Sequence, residues 1–359
     1  MDFNFRKITV PSNMEDVRTI TNTLFEKISS LEMKLRANDK SVVIVLDSCK
    51  ELGNNTINRL SGMVKKTNTQ FYQFGNNEVN TFPIESIRQN NVYIIASGSN
   101  MEGASINDNI ITMLSLIRSC RDASAKYITL VCPYFPYSRS DKKDKSRMPI
   151  MAKLMCDLIK ISGADRIITI DLHSAQIQGF FEGPFDNLYA INHLINAIKT
   201  DFDMKDCIIV SPDAGGEKRA AAWSSKLDIP YTFLTKSRDH NKVSVIAKHE
   251  LVHQLDFSNK VAILIDDIGD TLGTLCSAAN ILKNKGTNKI IAVVTHGIFS
   301  GKAFDNLNKS VIDYIYVTNT LPQDENIKKS DKIKVVNISN LFARAIECCV
   351  NAKSISSLF

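Results

Sequence analysis

The run KVAILIDDIGDTLGT, from Lys260 to Thr274, places Asp266 and Asp267 directly after five apolar residues and follows them with Asp270, Thr271, Gly273 and Thr274. The apolar part reads as a buried strand, so the carboxylates fall at its carboxyl end, where parallel α/β sheets bind ligands. Glycines permit a tight turn and close backbone approach. Hydroxyls and backbone N–H groups at a following helix start can surround a phosphate. Carboxylates cannot favour phosphate by themselves, but they can hold sugar hydroxyls or a hard cation such as Mg²⁺. Together these groups fit a phosphorylated sugar. A lone Asp here would be an ordinary strand-end residue or a helix cap; the whole run is more than that.

Three further segments repeat the plan of strand followed by charged or glycine-rich loop. PYFPYSRSDKKDKSRMPI carries five basic and two acidic residues between Arg139 and Arg147. A solvated loop or a nucleic-acid patch is the plain alternative. Its bracketing prolines and its place at a sheet end favour polyphosphate contact by Arg139 and Lys142, with Asp144 near a purine or a cation. In IITIDLHSAQIQGFF, Asp171 and His173 leave an apolar strand. A neutral His173 can ligate a Mg²⁺ that bridges phosphates, although hard cations usually prefer oxygen. In CIIVSPDAGGEKRAAAW, Asp213 can coordinate metal beside Gly215 and Gly216, while Lys218 and Arg219 read equally well as helix-surface charges.

The elements that must position these loops are legible as short β-branched runs: SVVIVLD, NVYIIASG, YITLVCPY, RIITIDLH, CIIVSPDAGG, VAILIDD, KIIAVVTHG and YIYVTNT. They show little internal alternation, as expected of parallel strands covered on both faces. Helical periodicity separates them, with Ile106, Ile110, Met113, Leu114 and Ile117 on one predicted face. Leu275, Ala278, Ala279 and Leu282 lie on another, before a stop at Gly286. The fold class expected is α/β, with two similar domains, each a central mainly parallel sheet flanked by helices. The expected boundaries are 1–189, 190–345 and a tail at 346–359 that packs back on the first domain. An atypical extension occupies about residues 1–40, polar and of helical character.

Composition narrows the class. The chain has 359 residues, 44 % of them hydrophobic, which favours two domains. Its 44 Lys and Arg against 38 Asp and Glu give a formal charge of +6, too mild to argue for nucleic acid. Eight Cys without a CxxC pair point to a reducing compartment, without disulfides or structural zinc. No run approaches the roughly 18 apolar residues of a membrane helix, and the first ten residues lack a signal pattern. The expected location is the cytoplasm, with neither a nucleic-acid nor a membrane partner.

The chain resembles the ribose-phosphate pyrophosphokinase family, class I-like, from roughly Gln70 to Phe359. The resemblance rests on YFPYSRSDKKDKSRMPIMAKL, GADRIITIDLHSAQIQGFF, DNLYA, VSPDAGGEKR, ILIDDIGDTLGT, THGIFSG, VTNTLPQ and SISSLF. It implies phosphoribosyltransferase-type domains and transfer of the β,γ-diphosphoryl group of ATP to the 1-hydroxyl of ribose 5-phosphate. The products are phosphoribosyl pyrophosphate and AMP. It implies ATP contacts at Arg139 and Asp144, and at Phe74, Asn76 and Glu78 in a loop reaching a neighbouring subunit. It implies Mg²⁺ at His173 and Asp213, ribose 5-phosphate at Asp266, Asp267, Asp270, Thr271, Gly273 and Thr274, and catalytic cations at Lys236 and Arg238 after the strand IPYTFL. Homodimers, commonly assembled into hexamers, are implied as well. A catalytically inactive regulatory relative is the alternative; it would lose the Lys/Arg pair or the sugar-phosphate loop, and this chain keeps both. Ser140 departs from the family pattern, which more often has Gln there, and the segment after Arg238 is longer than usual.

Overall fold

The computed structural model describes residues 21–25, 27, 41–60, 62–100, 104–237, 248–253 and 255–358, with residues 236–237 and 248–250 described by backbone alone. A short exposed helical segment, α1, lies at residues 21–25; apart from residue 27, the rest of the first 40 residues fall outside the described part.

Two sheets organise the chain. The first has six parallel strands: β1 (Ser41–Val45), β2 (Lys65–Lys66), β5 (Asn91–Ile95), β6 (Tyr127–Val131), β7 (Arg166–Ile170) and β8 (Phe185–Leu188), in spatial order β2-β1-β5-β6-β7-β8. The second has seven: β9 (Cys207–Ser211), β10 (Tyr231–Ser237), β11 (Lys248–Leu251), β12 (Val261–Gly269), β13 (Lys289–Gly297), β14 (Tyr314–Thr318) and β15 (Ile333–Val336), in order β11-β10-β9-β12-β13-β14-β15. Only the β10–β11 pair is antiparallel there. The fold is α/β with two mainly parallel sheets flanked by helices. A separate antiparallel hairpin, β3 (Thr69–Gln73) and β4 (Val79–Pro83), lies against the helix α3 (Ile106–Asp122).

Successive strand residues supply different cores, because side chains alternate across a sheet. Val42, Ile44, Val92, Ile94, Ile128 and Leu130 pack outward against α3 and α4 (Met151–Ser162). In the second sheet, Ile208, Val210, Ala262, Leu264, Ile290 and Ala292 face the outer helices α7 (Gly273–Asn284) and α8 (Ala303–Lys309). The intervening residues Val43, Tyr93, Ile95 and Ile168 share a third core with Ile209, Ile263, Ile265 and Ile291 of the other sheet. Helices α2 (Lys50–Arg59), α5 (Ile191–Asp201), α6 (Glu217–Leu227) and α10 (Ser339–Val350) contribute to that middle layer. Both faces of each sheet are therefore apolar, which is why the strands read as continuous hydrophobic runs.

On the predicted face of α3, Ile110, Met113 and Ile117 are buried and Leu116 and Cys120 join them; Ile106 and Leu114 are partly buried. Its start is fixed by a capping box between Ser105 and Asp108. Helix α10 lies against α2, Thr56 Oγ1 meets Ser339 O at 3.4 Å, and Arg166 meets Cys349 Sγ at 3.0 Å. Among the described residues, no helix is long and apolar enough to cross a membrane.

Phe342 on α10 is fully buried in the shared core. Phe342→Ala is expected to destabilise by about 3–5 kcal/mol and to lower the urea midpoint of both sheets together. Urea unfolding followed by circular dichroism and by Trp223 fluorescence tests this; a shift in one probe alone would show that the middle core does not join the sheets.

Candidate active site

Strand order reverses at two places, between β1 and β5 and between β9 and β12. The carboxyl end at such a reversal opens a crevice, because adjacent connections leave in opposite directions. At the second reversal, the loop after β9 carries Asp213, and β12 carries Asp266 and Asp267 in its last residues. From the first sheet, the loops after β6 and β7 bring Arg139 and His173 to the same place. Arg139, His173, Asp213, Asp266, Asp267, Asp270, Thr271, Gly273 and Thr274 line one open cavity of about 220 Å³. A larger cleft of about 510 Å³ is lined by Tyr134 and Phe299, with Asp324 and Glu325 as its charged side chains. The smaller cavity gathers more of the charged side chains.

Asp267 is the centre of the charge network. Its side chain is only 5 % exposed, with His173 Nδ1 at 2.7 Å from Oδ2 and Arg219 Nη2 at 3.0 Å from Oδ1. Arg219 also reaches Asp266 Oδ1 at 3.1 Å. Burial opposes ionisation of Asp267, but the His173 hydrogen bond and the Arg219 charge outweigh it and hold the carboxyl below its usual range. Asp266 moves the other way, raised first by burial and then by the adjacent Asp267. The hydrogen bond to Asp267 raises His173 above the ordinary histidine value, against a smaller opposing effect of burial. With Nδ1 turned to a carboxylate, Nε2 is the ring atom left to face a ligand.

The phosphate-sized loop is built by an unusual backbone. Leu272, buried at its side chain, takes φ +62°, and α7 begins at the next residue. A left-handed residue beside a helix start turns successive N–H groups toward a common point, the arrangement that holds anions. Asp270 does not cap this helix. It accepts from Ser300 Oγ and pairs with Arg139 at 2.8 Å, so it ties a first-sheet loop to a second-sheet loop. Asp213 accepts from Gly216 N at 3.2 Å. Gly216 has no room for a side chain, since a Cβ there would lie 2.3 Å from Ser211 Oγ.

Other predicted positions stand apart. Asp144 is exposed beside Lys142 at 3.9 Å and does not line the cavity. Phe74, Asn76 and Glu78 form the exposed tip of the β3–β4 hairpin, closed by Phe74 N donating to Glu78 O and Glu78 N donating to Asn76 Oδ1. Lys236 lies within β10, opposite His249 of β11, rather than in a loop after the strand, and its side chain is not described. Arg238 lies outside the described residues. Arg219 is the member of the charge network that the sequence leaves open: nothing local separates it from Lys218, and only the helix orientation turns it inward.

Among the described residues, no group of three or more His, Cys, Asp and Glu side chains stands ready to hold a metal. The donors present nonetheless suit Mg²⁺, which keeps several waters and takes other ligands from substrate phosphates. Asp213 and His173 are separate donors facing one cavity.

Fold and site together define an α/β protein with a charged cavity between two mainly parallel sheets. Residues 41–163 match the family model described as the N-terminal domain of ribose phosphate pyrophosphokinase, and 235–359 match the phosphoribosyl synthetase-associated domain. The crystal structure of phosphoribosylpyrophosphate synthetase from Mycobacterium smegmatis is 33 % identical, covers 87 % of this chain and 100 % of its own, and aligns with a TM-score of 0.79. A purine phosphoribosyltransferase from Pyrococcus horikoshii is 22 % identical over 36 % of this chain and 78 % of its own, with a TM-score of 0.26. An adenine phosphoribosyltransferase from Trypanosoma brucei is 13 % identical over 38 % and 66 %, with a TM-score of 0.29. These last two alignments are too partial to add to the assignment. The chain belongs to the ribose-phosphate pyrophosphokinase (phosphoribosylpyrophosphate synthetase) family.

His173 binds its proton more tightly in the folded, metal-free protein than in the unfolded chain. The stability it supplies is fully present below the ordinary histidine value of 6.5 and is lost as pH rises through the higher folded value. His173→Gln is therefore expected to flatten the decline in urea stability above pH 6.5; an unchanged slope would show that another group causes it. Arg219→Met leaves two adjacent carboxyl groups without their shared cation and is expected to cost about 3–5 kcal/mol, read from the same urea curves at pH 7.

Proposed function

We propose that the protein transfers the β,γ-diphosphoryl group of ATP to the 1-hydroxyl of ribose 5-phosphate, giving 5-phosphoribosyl 1-diphosphate and AMP. The observation that carries this reading is the single cavity in which the Asp266–Thr274 loop of one sheet faces Arg139 and His173 of the other. One side has the donors for a phosphorylated sugar, the other the cation and imidazole suited to a polyphosphate.

In this reading, the backbone and hydroxyls from Asp270 to Thr274 take the 5-phosphate, while Asp266 and Asp267 orient ring hydroxyls. Arg139, paired with Asp270 at 2.8 Å, turns to the ATP phosphates when they arrive. Mg²⁺, held by His173 and Asp213, supplies charge neutralisation of the phosphate oxygens when bound. The anomeric oxygen attacks the β-phosphorus in line. The new O–Pβ bond forms as the bond from Pβ to the α,β-bridging oxygen breaks, and AMP leaves with that oxygen. The hydroxyl proton passes to solvent. No covalent enzyme intermediate is required. Holding the two substrates in one orientation and stabilising developing charge supply most of the acceleration. Lys236 and Arg238 are assigned to that charge, on the strength of the family motif LTKSRDHNK. Phe74, Asn76 and Glu78 are assigned to the adenine of a neighbouring subunit, which accounts for their distance from the chain's own cavity, and Asp144 to the rim of the ATP site. Homodimers fit that sharing, and the family resemblance extends the proposal to their assembly into hexamers.

Phosphorus NMR with Mg²⁺, ATP and ribose 5-phosphate is expected to show matched growth of AMP and 5-phosphoribosyl 1-diphosphate, dependent on both substrates. ADP in place of AMP would refute the reading. Lys236→Ala is expected to lower kcat about 10²–10³-fold, the usual cost of removing one donor to transition-state charge; a normal rate would remove Lys236 from the mechanism.

A further inference from the structure

His173 belongs to the first sheet and Asp267 to the second, so their 2.7 Å contact depends on how one sheet is held against the other. The shared apolar core fixes the layers, but apolar packing is non-directional and does not select a register to a fraction of an ångström. A polar device beside the pair does. Strands β12 and β13 run in register, with Asp266 opposite Val294 and Ile268 opposite His296. Thr295 and His296 therefore sit on the rungs that carry Asp267 and its neighbour.

Both residues reach across to the loop of His173. Thr295 Oγ1 donates to Asp171 Oδ2 at 2.6 Å. His296 Nε2 lies 3.2 Å from Ile170 O and 3.3 Å from Asp171 O. Carbonyl oxygens only accept, so Nε2 carries the proton. Nδ1 of the neutral ring then accepts from Thr320 Oγ1 at 3.0 Å. Burial pushes His296 down to about 4, consistent with that neutral form. The ring is 3 % exposed and stands edge-on to Tyr134 of the first sheet's β6 loop at 5.1 Å. Asp171 needs such restraint. It holds φ +43°, an uncommon conformation for a residue with a side chain. Its carboxylate also accepts from Ala190 N at 3.2 Å. His173 follows two residues later, so the hydrogen bonds that Asp171 and Ile170 accept from Thr295 and His296 set where its ring stands.

We propose that Thr295 and His296 form a latch between the two domains, and that His296 is a positioning residue which sets the His173 imidazole against Asp267. Its catalytic consequence rests on the diphosphoryl-transfer reading; its structural claim does not. The loop from Asp270 to Thr274 follows β12 within the second domain, so it is expected to stay formed when the latch is broken.

The test compares His296→Gln, whose amide N–H can replace the Nε2 donor, with His296→Phe, which keeps a ring beside Tyr134 and loses the donor. Thr295→Val removes one hydroxyl with almost no change of volume and decides the matter if His296→Phe does not fold. In protein labelled with ¹⁵N-histidine and free of ligands, the His173 ring signal is expected to shift in His296→Phe and in Thr295→Val and to return in His296→Gln. With substrates, kcat is expected to fall about 100-fold in His296→Phe, the scale of a misplaced reacting group. The KM for ribose 5-phosphate should stay within about twofold, with kcat largely recovered by Gln. A His173 signal unmoved in both folded latch variants overturns the proposal. A wild-type protein that forms no product overturns the diphosphoryl-transfer reading instead, and the ring signal still decides the latch.

Discussion

The shared core between the two sheets is the constraint on which the rest depends. Each sheet spends one face on its own outer helices and the other on a common layer reached by Val43, Tyr93 and Ile95 from one side and Ile209, Ile263 and Ile291 from the other. With both faces apolar, a strand has no place for a charge along its length. Polar groups leave where the strands end, and the common layer brings the two sets of ends together. The cavity is a consequence of that packing.

Within the cavity, charge is arranged so that one carboxylate is firmly ionised. Asp267 is nearly buried, yet it takes both His173 and Arg219. A buried charge needs such partners, because desolvation alone would neutralise it. Asp266 shares the Arg219 cation and carries the opposing shift. The pair thus presents unequal groups to a ligand. Arg139 and Asp270 make a second bridge between the loops of the two sheets, more open to solvent.

Much of the fold was legible because buried parallel strands leave a strong local signature. The eight β-branched runs all became strands of the two sheets. The short edges β2, β8, β11 and β15 were not read, since edge strands are brief and partly polar. The hairpin β3–β4 was read only as a family motif, and its exposed aromatic residues follow no core periodicity. The acidic loop stood out by residue type alone. Arg219 did not, because a cation on the first turn of a helix carries no sign of which way it points. Lys236 was recognised through its motif, and the structure adds that it lies in strand β10 rather than after it.

The sequence by itself determined the central strands, the residue types that stand at their ends, and the family, because these depend on neighbours along the chain: apolar runs, glycines, and carboxylates at fixed spacing. Only the tertiary structure decided which ends meet. That His173 faces Asp267, ninety-four positions away, and that His296 meets Asp171 depend on the relative placement of two sheets, and that Arg219 turns toward two carboxylates depends on how α6 lies against β12. That placement is set by the sum of many weak apolar contacts and refined by a few directional hydrogen bonds, and neither is written in any short stretch of residues.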